Sequence, residues 1–208
     1  MGLASASYAR RMATEERAPL QREVIIATTR ELIVTGGLEA LTLRRLASRL
    51  GVTAPALYGH VKDKRDLLRA VAEDEFDRLV ARFDEVDATD PVERIRALNR
   101  AYVAHARDDP EMFRVMFLFP PDLSVGDLPE GVELPGATRA FGRAAEAITA
   151  AIDAGVITSD DPLLVALTLW SAVHGVATVL QLGFGLPADL EDAMVEEVTD
   201  RVLGGYGA

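Results

Sequence analysis

Helical spacing of apolar residues runs through nearly the whole chain, and this feature limits the fold more than any other. Apolar side chains recur three and four residues apart, and no segment stands out with the strict alternation that is typical of a half-buried strand. Apolar residues make up 49% of the sequence, which is enough to build a packed core. The sequence therefore predicts an all-α fold.

Capping residues, prolines and glycines give the expected helix boundaries. The first predicted helix covers residues 20–35 and ends at Gly36-Gly37, with an inward stripe formed by Val24, Ala27, Thr28 and Leu32. Further helices are predicted over 63–83, 90–107, 109–117, 136–154, 162–182 and 187–203. The proline-rich segment 119–135 is predicted to be a loop that is unusually long for a compact domain, which suggests a mobile or functional segment.

Two short helices are predicted between Thr42 and His60. Thr42 is suited to cap the first of them, and Gly51 is suited to end it in a left-handed conformation. The second runs from Ala54 to His60, with Thr53 as its cap and Pro55 in its first turn. A small shared core is expected from Leu43, Leu46, Ala47, Leu50, Val52 and Leu57. This arrangement is typical of a helix-turn-helix, whose second helix can enter a DNA major groove about 12 Å wide.

Charge is distributed unevenly along the chain. Residues 1–70 contain 12 Lys/Arg and 7 Asp/Glu, a balance of +5, whereas the remaining residues contain 10 and 26, a balance of −16, which together give the net −11. A positive N-terminal part attracts phosphate and an acidic remainder is repelled by it. The charge pattern therefore favours a chain that meets nucleic acid with its N-terminal part.

The segment from Thr42 to Leu68 resembles the DNA-binding domain of tetracycline-repressor-like (TetR-family) regulators. The resemblance covers about residues 20–70 and rests on the glycine turn, the run Leu57-Tyr58-Gly59-His60 and the lysine that follows in register. It implies an N-terminal three-helix helix-turn-helix domain and a C-terminal helical domain for ligand binding and dimerisation. The expected division is a flexible basic arm at 1–18, the helix-turn-helix domain at 19–68 and the effector-binding and dimerisation domain at 69–208.

The resemblance also implies roles at the DNA surface. Tyr58, His60 and Lys64 are expected to contact phosphates, and Arg44 is the best candidate for reading a base, since arginine can bind guanine through two hydrogen bonds. Ala54, Ala56 and Gly59 stand where the tetracycline repressor has larger side chains, so a different operator is expected. The full set of expected DNA contacts is Thr42, Arg44, Arg45, Thr53, Ala54, Pro55, Ala56, Tyr58, His60, Lys62 and Lys64.

A ligand site is expected in the C-terminal part. Trp170, His174 and Gly175 resemble the Trp-x-x-x-His-Gly element of one subgroup of these regulators, and residues four apart share one helix face. Two interpretations stay open: these side chains border a cavity, or they are ordinary core residues. The candidate ligand contacts are Leu98, Tyr102, His105, Phe113, Met116, Phe117, Trp170 and His174.

The last two predicted helices are the expected dimer interface. Residues 163–186 contain no charged side chain, a length that could cross a bilayer, but their polar residues and acidic flanks favour a helix buried on several sides. Pairing both helices with a second copy would give a four-helix bundle with twofold symmetry. No membrane association is expected.

The sequence favours a ligand-responsive DNA-binding regulator over an enzyme. It has no cysteine, no Gly-rich phosphate loop and no His-Glu-x-x-His pair, and its three histidines are far apart in the chain. No cofactor or metal is expected. The prediction is a cytoplasmic homodimeric repressor that leaves a pseudo-palindromic operator when it binds a small, fairly apolar molecule. An all-α interaction protein with a non-functional helix-turn-helix, and a transcriptional activator of the same fold, remain as alternatives.

Overall fold

The computed structural model describes residues 20–119 and 135–207, and all regular elements in these ranges are helical. The predicted all-α fold is confirmed. The predicted arm at 1–18 and nearly all of the predicted loop at 119–135 lie outside the described residues. The helices are α1 (Arg22–Gly36), α2 (Leu43–Leu50), α3 (Ala54–Leu57), α4 (Lys64–Asp84), α5 (Pro91–Asp108), α6 (Pro110–Leu118), α7 (Gly136–Asp153), α8 (Pro162–Leu180) and α9 (Ala188–Gly204), with one 3₁₀ turn at Leu38–Ala40.

Aspartate side chains cap four of these helices. The carboxylates of Asp63, Asp90, Asp109 and Asp161 accept hydrogen bonds from the backbone N–H three residues ahead, at 2.8, 2.8, 3.3 and 2.9 Å. In three of these helices a proline follows the cap, where its missing N–H costs nothing. The starts of α4, α5, α6 and α8 are therefore set by local chemistry.

Two groups of buried side chains hold the helices together. The head core joins α1, α2, α3, the first half of α4 and one side of α6, and Ile25, Leu46, Leu57 and Leu67 are fully buried in it. The body core joins the second half of α4 to α5, α7, α8 and α9, together with the other side of α6. Since α4 contributes to both cores, it connects them mechanically.

The inward stripe predicted for α1 is right at Leu32 and wrong at Val24 and Ala27, and Thr28 is only partly buried. Ile25, Thr29, Leu32 and Ile33 are buried, whereas Val24 is 46% exposed and Ala27 is exposed. Residues 24–26 are all β-branched and apolar, so the periodicity of the sequence does not settle which side faces inward. Packing against α2, α4 and α6 decides which side of α1 is buried.

Helix α8 is, within the described part of the chain, the one helix that is long and apolar enough to cross a membrane. One side of it packs against α5, α7 and α9 and contributes Val165, Leu169 and Val173 to the body core. The opposite side is open in this single chain, and Leu164 on it is 55% exposed.

Candidate DNA interface and ligand cavity

Helices α2 and α3 meet at a tight glycine turn. Thr42 caps α2 by accepting a hydrogen bond from Arg45 N–H at 3.1 Å. Gly51 has φ +65° and ψ 29°, a left-handed conformation that favours glycine, and the next residue donates its N–H to Ala47 O at 3.0 Å. The head core below is closed by Leu46 and Leu57, both fully buried. The turn therefore holds α3 at a fixed angle to α2.

The second short helix is shorter than the sequence predicts. Helix α3 ends at Leu57, and Tyr58, Gly59 and His60 form a turn closed by a 2.9 Å hydrogen bond from His60 N–H to Leu57 O. The Thr53 side chain makes no hydrogen bond to the start of α3, so the predicted cap is absent. That hydroxyl is left available for an outside partner.

The outer surface of α3 and its turn is open. Tyr58 is 58% exposed, and Pro55, Ala56 and Gly59 are also exposed. Ala54 and His60 are partly buried, and Ala54 packs against the head core. The His60 carbonyl oxygen accepts a hydrogen bond from the Arg22 guanidinium of α1, which fastens the turn to the head.

Exposed cations without acidic partners surround α3. Arg44 and Arg45 on α2, and Lys62, Lys64 and Arg65 at the start of α4, are all exposed. The ion pairs found among the described residues include none of these five, whereas nine of the ten arginines after residue 70 pair with a carboxylate: Arg78, Arg82, Arg96, Arg100, Arg107, Arg114, Arg139, Arg143 and Arg201. The positive charge of these five residues is therefore available to meet phosphate, while most of the arginine charge of the body is paired.

A cavity of about 240 Å³ lies in the body, between α4, α5, α7 and α8. It exceeds the roughly 150 Å³ of an engineered apolar cavity that binds benzene. Six aromatic rings border it: Phe76, Phe83, Tyr102, Phe117, Phe141 and Trp170. The other lining residues are Leu79, Ile95, Leu98, Asn99, Ala137, Ala140, Ala144, Ala147, Ile148, Ala166, Leu167, Leu169 and Val173. The cavity has room for a small molecule with one or two rings.

Polar atoms in the described cavity wall come from Asn99, Tyr102 and Trp170. The Tyr102 hydroxyl is 2.8 Å from Nδ1 of His174. Burial raises the pKa of Tyr102, with a hydrogen bond from Trp170 opposing part of the effect, and burial lowers the pKa of His174. Both groups are therefore neutral at pH 7, and the described wall carries no charge.

Two family profiles match this chain. The profile described as tetracyclin repressor-like, C-terminal domain, matches residues 95–202, which is more than half of the 208 residues. The chain belongs to the tetracycline-repressor-like (TetR) family. The profile of the bacterial regulatory proteins of the tetR family matches residues 25–71, which contain α2 and α3. This TetR-family protein is therefore a DNA-binding transcriptional regulator, and the prediction that it is not an enzyme is confirmed.

Relatives of this TetR-family regulator include some that match only its head and one that matches most of the chain. The class C tetracycline repressor of Escherichia coli is 61% identical over 54 residues, which are 26% of this chain and 25% of the repressor. An HTH-type transcriptional regulator of Mycobacterium tuberculosis is 29% identical over 190 residues, covering 90% of this chain and 82% of its own. The solved structure of a protein from Rhodococcus sp. RHA1 has a TM-score of 0.74 and 26% identity, covering 94% of this chain and all of the other.

The cavity of this TetR-family regulator contains half of the ligand residues expected from sequence. Leu98, Tyr102, Phe117 and Trp170 line it. His174 lies behind the wall, against Tyr102 and against the rings of Phe113, Phe117 and Trp170. Phe113 meets Tyr102 edge-on, with ring centroids 5.6 Å apart, and Met116 is fully buried in the body core. Trp170 therefore lines the cavity, and His174 packs behind the wall and supports it.

His105 lies away from the cavity, in a polar cluster of the TetR-family body. Its Nε2 is 3.4 Å from Oε1 of Glu75 and makes no hydrogen bond. Burial, assisted by the nearby charge of Arg82, lowers the pKa of His105 to about 4. The imidazole is therefore neutral at pH 7, and its contact with Glu75 is not an ion pair.

Sequence reasoning missed the side of the cavity formed by α7. Ala137, Ala140, Ala144 and Ala147 line it at helical spacing. Small side chains on one face of a helix leave space beside it, and this pattern of alanines was the available signal. Asn99 was also missed, although it lies three residues before Tyr102 on the same face of α5.

Proposed function

We propose that this protein is a cytoplasmic, homodimeric repressor that leaves its operator when a small, apolar molecule binds in the body cavity. The observation that carries the proposal is the apolar cavity bordered by Phe76, Leu79 and Phe83 of α4, since the first half of the same helix is part of the head core. Ligand binding and DNA binding then share one rigid element.

The head surface supports the DNA-binding role residue by residue. Arg44 and Arg45 of α2 would reach a base edge and a phosphate, and Lys62 and Lys64 would contact phosphates beside α3. Tyr58 is exposed and can donate its hydroxyl, while Thr42 and Thr53 would contact phosphates at the helix starts. The small residues Ala54, Pro55 and Ala56 allow close approach to the groove, and His60 would act from its partly buried position. The proposed domain division remains 19–68 and 69–208.

A second copy of the chain supplies the partner for the open side of α8. Leu164, Thr168, Ser171, Gly175 and Val179 form an exposed stripe at helical spacing and carry no charge. Packing this stripe and α9 against the same elements of a second copy gives a twofold four-helix bundle. The dimer would present two α3 helices to a pseudo-palindromic operator, with half-sites about one helical turn apart, or roughly 34–36 Å.

Ion pairs provide the proposed coupling between the cavity and the head. Arg30 of α1 donates to Glu75 Oε2 at 3.0 Å and to Asp109 Oδ2 at 2.6 Å. Glu75 directly precedes Phe76 of the cavity wall, and Asp109 caps α6, which carries Phe117 of the same wall. A ligand that shifts α4 or α6 would therefore move α1 with it. A coupling of about 1–3 kcal/mol would weaken DNA binding roughly 5- to 150-fold.

The test begins with selection of DNA bound by the full chain from a random pool, followed by gel retardation on the selected operator. Arg44→Ala and Lys64→Ala should weaken operator binding, and Lys64→Ala should reduce the salt dependence of the affinity by about one phosphate contact. Arg114→Ala, which removes a paired arginine of the body, is the matched control. Selection of no sequence, or equal loss in the control, would contradict the proposed role of the head.

The sign of regulation needs a second assay. A promoter that contains the selected operator is placed before a reporter gene in cells with and without the regulator. The proposal expects lower expression with the regulator present, and recovery when a ligand found by screening is added. Higher expression with the regulator would instead identify an activator.

A further inference from the structure

The orientation of one amide in the cavity is fixed by hydrogen bonds. Thr199 of α9 is buried, and its Oγ1 is 2.7 Å from the Val195 carbonyl oxygen, which can only accept, so the hydroxyl donates its hydrogen there. Asn99 approaches the same Oγ1 at 3.0 Å. Because the hydroxyl hydrogen is already used, the Asn99 atom that meets it must be the donor Nδ2.

The remaining polar atom of that amide is an acceptor. Thr199 accepts one of the two Nδ2 hydrogens, so Asn99 has Oδ1 and one further N–H left for a molecule in the cavity. The Tyr102 hydroxyl already has a hydrogen-bond partner, Nδ1 of His174. Among the described lining residues, Asn99 Oδ1 is therefore a hydrogen-bond acceptor that is still without a partner, and it prefers a donor.

The rest of the cavity wall defines the other properties of its occupant. Aromatic rings border it on several sides, which favours flat molecules that stack or pack edge-on. A charged ligand would lose its hydration without gaining a counter-charge from the described wall, and this loss is costly in an apolar site. The volume of about 240 Å³ accommodates a molecule of about one or two rings.

We infer that the cavity binds an uncharged aromatic molecule that carries a hydrogen-bond donor, such as a hydroxyl or N–H group, and that Asn99 Oδ1 selects for this donor. This inference rests on the proposed function, because it takes the cavity to be the effector site. It assigns a specificity-determining role to Asn99 and a positioning role to Thr199.

Four probes that share the naphthalene ring system test the inference: 2-naphthol, 2-methoxynaphthalene, naphthalene and 2-naphthoate. Their affinities are measured by calorimetry on the full-length, DNA-free protein. We expect 2-naphthol to bind about fivefold tighter than 2-methoxynaphthalene, as one hydrogen bond provides. We expect 2-naphthoate to show no saturable binding. Equal affinity of the hydroxyl and methoxy probes, tight binding of the anion or no binding of any probe would overturn the inference.

Substitutions at Asn99 and Thr199 test whether the Asn99 amide causes the preference for a hydrogen-bond donor. Asn99→Leu should bind 2-naphthol and 2-methoxynaphthalene equally while it still binds naphthalene. Thr199→Val should reduce the difference in affinity between 2-naphthol and 2-methoxynaphthalene, because the freed Asn99 amide can turn and offer Nδ2. Thr149→Val is the matched control, since Thr149 makes the same bond to the carbonyl four residues earlier but is exposed on α7. Preserved selectivity in Asn99→Leu, or its loss in the control, would overturn the role of Asn99.

Failure of this inference and failure of the proposed function give different experimental results. Calorimetry on DNA-free protein reports on the cavity, whereas gel retardation with the selected operator reports on the head. Selective binding of 2-naphthol without any effect on operator affinity would contradict the proposed release mechanism and leave the cavity chemistry intact. Operator release by an anionic ligand, with no binding of 2-naphthol, would contradict the cavity chemistry alone.

Discussion

Glu75 and His105 form a buried polar pair at the point where α1, α4 and α5 meet. Glu75 is only 2% exposed, and burial raises its pKa although the hydrogen bond and charge of Arg30 oppose this. His105 is kept neutral by burial and by the charge of Arg82, with Asp108 acting in the opposite sense. At the scale of single residues, the stability of the body therefore depends on keeping a histidine uncharged.

Acid should destabilise the protein through His105. The unfolded chain takes up a proton on this histidine below about pH 6.5, but the folded chain only below about pH 4, so the unfolded state binds more protons between these values. Lowering the pH from 7 to 5 should cost up to about 2 kcal/mol through this group. Urea unfolding at both pH values should show a smaller pH dependence for His105→Leu than for the unaltered protein. An unchanged dependence would contradict burial of a neutral His105.

The contact between α7 and α4 depends on the absence of a side chain at Gly136. A Cβ atom there would lie 2.9 Å from the Cβ of Phe76 and 3.2 Å from the backbone N of Asp77. The backbone N–H of Gly136 also donates to the carboxylate of Glu73 on α4. At the scale of elements, this close approach sets how α7 faces the cavity.

Gly136→Ala should destabilise the protein by about 1–3 kcal/mol, since the added methyl group overlaps α4 and forces the helices apart. Gly142→Ala on the same helix is the matched control, because a Cβ there meets no atom within 4 Å. The control should be stabilising by about 0.5–1 kcal/mol, as expected for alanine in a helix. Urea midpoints of the two variants measure this, and equal effects would contradict the close contact.

Arg30 connects three helices through its two carboxylate partners. Arg30→Met should destabilise the chain by about 3 kcal/mol, because it leaves the buried Glu75 carboxylate with only the more distant guanidinium of Arg78, at 3.8 Å. Arg30→Met combined with Glu75→Gln should recover part of this loss, since the amide needs no counter-charge. Equilibrium unfolding of the single and double variants measures the coupling, and additive losses would contradict a paired role.

The whole molecule is expected to function as a dimer, and Gly175 offers a clean test. It lies on the open side of α8, and a Cβ there meets no atom of the described residues within 4 Å. Gly175→Glu should therefore leave the protomer folded but place two charges in the proposed interface, giving a monomer that binds the operator weakly. Analytical ultracentrifugation and gel retardation measure both effects. Gly142→Glu on α7 is the control, and an intact dimer in Gly175→Glu would exclude this side of α8 as the interface.

Local chemistry made the head predictable. The cap at Thr42 and the left-handed Gly51 are each decided by neighbours within a few residues, so their roles follow directly from the sequence. The aspartate caps at Asp63 and Asp90 set their helix starts in the same way. By contrast, Thr53 has the residue type of a cap but leaves α3 uncapped, because that short helix is held by packing of Leu57 rather than by its first turn.

The all-α fold, the helix-turn-helix and the separation of charge follow from the sequence alone, because they depend on neighbours in the chain or on composition. Packing between the helices, in contrast, places Ile25 rather than Val24 inward, α7 along the cavity and the Asn99 amide against Thr199. The cavity exists between helices that are far apart in sequence, and the state of its amide depends on Thr199, one hundred residues away. Such properties arise from packing, which no single segment encodes.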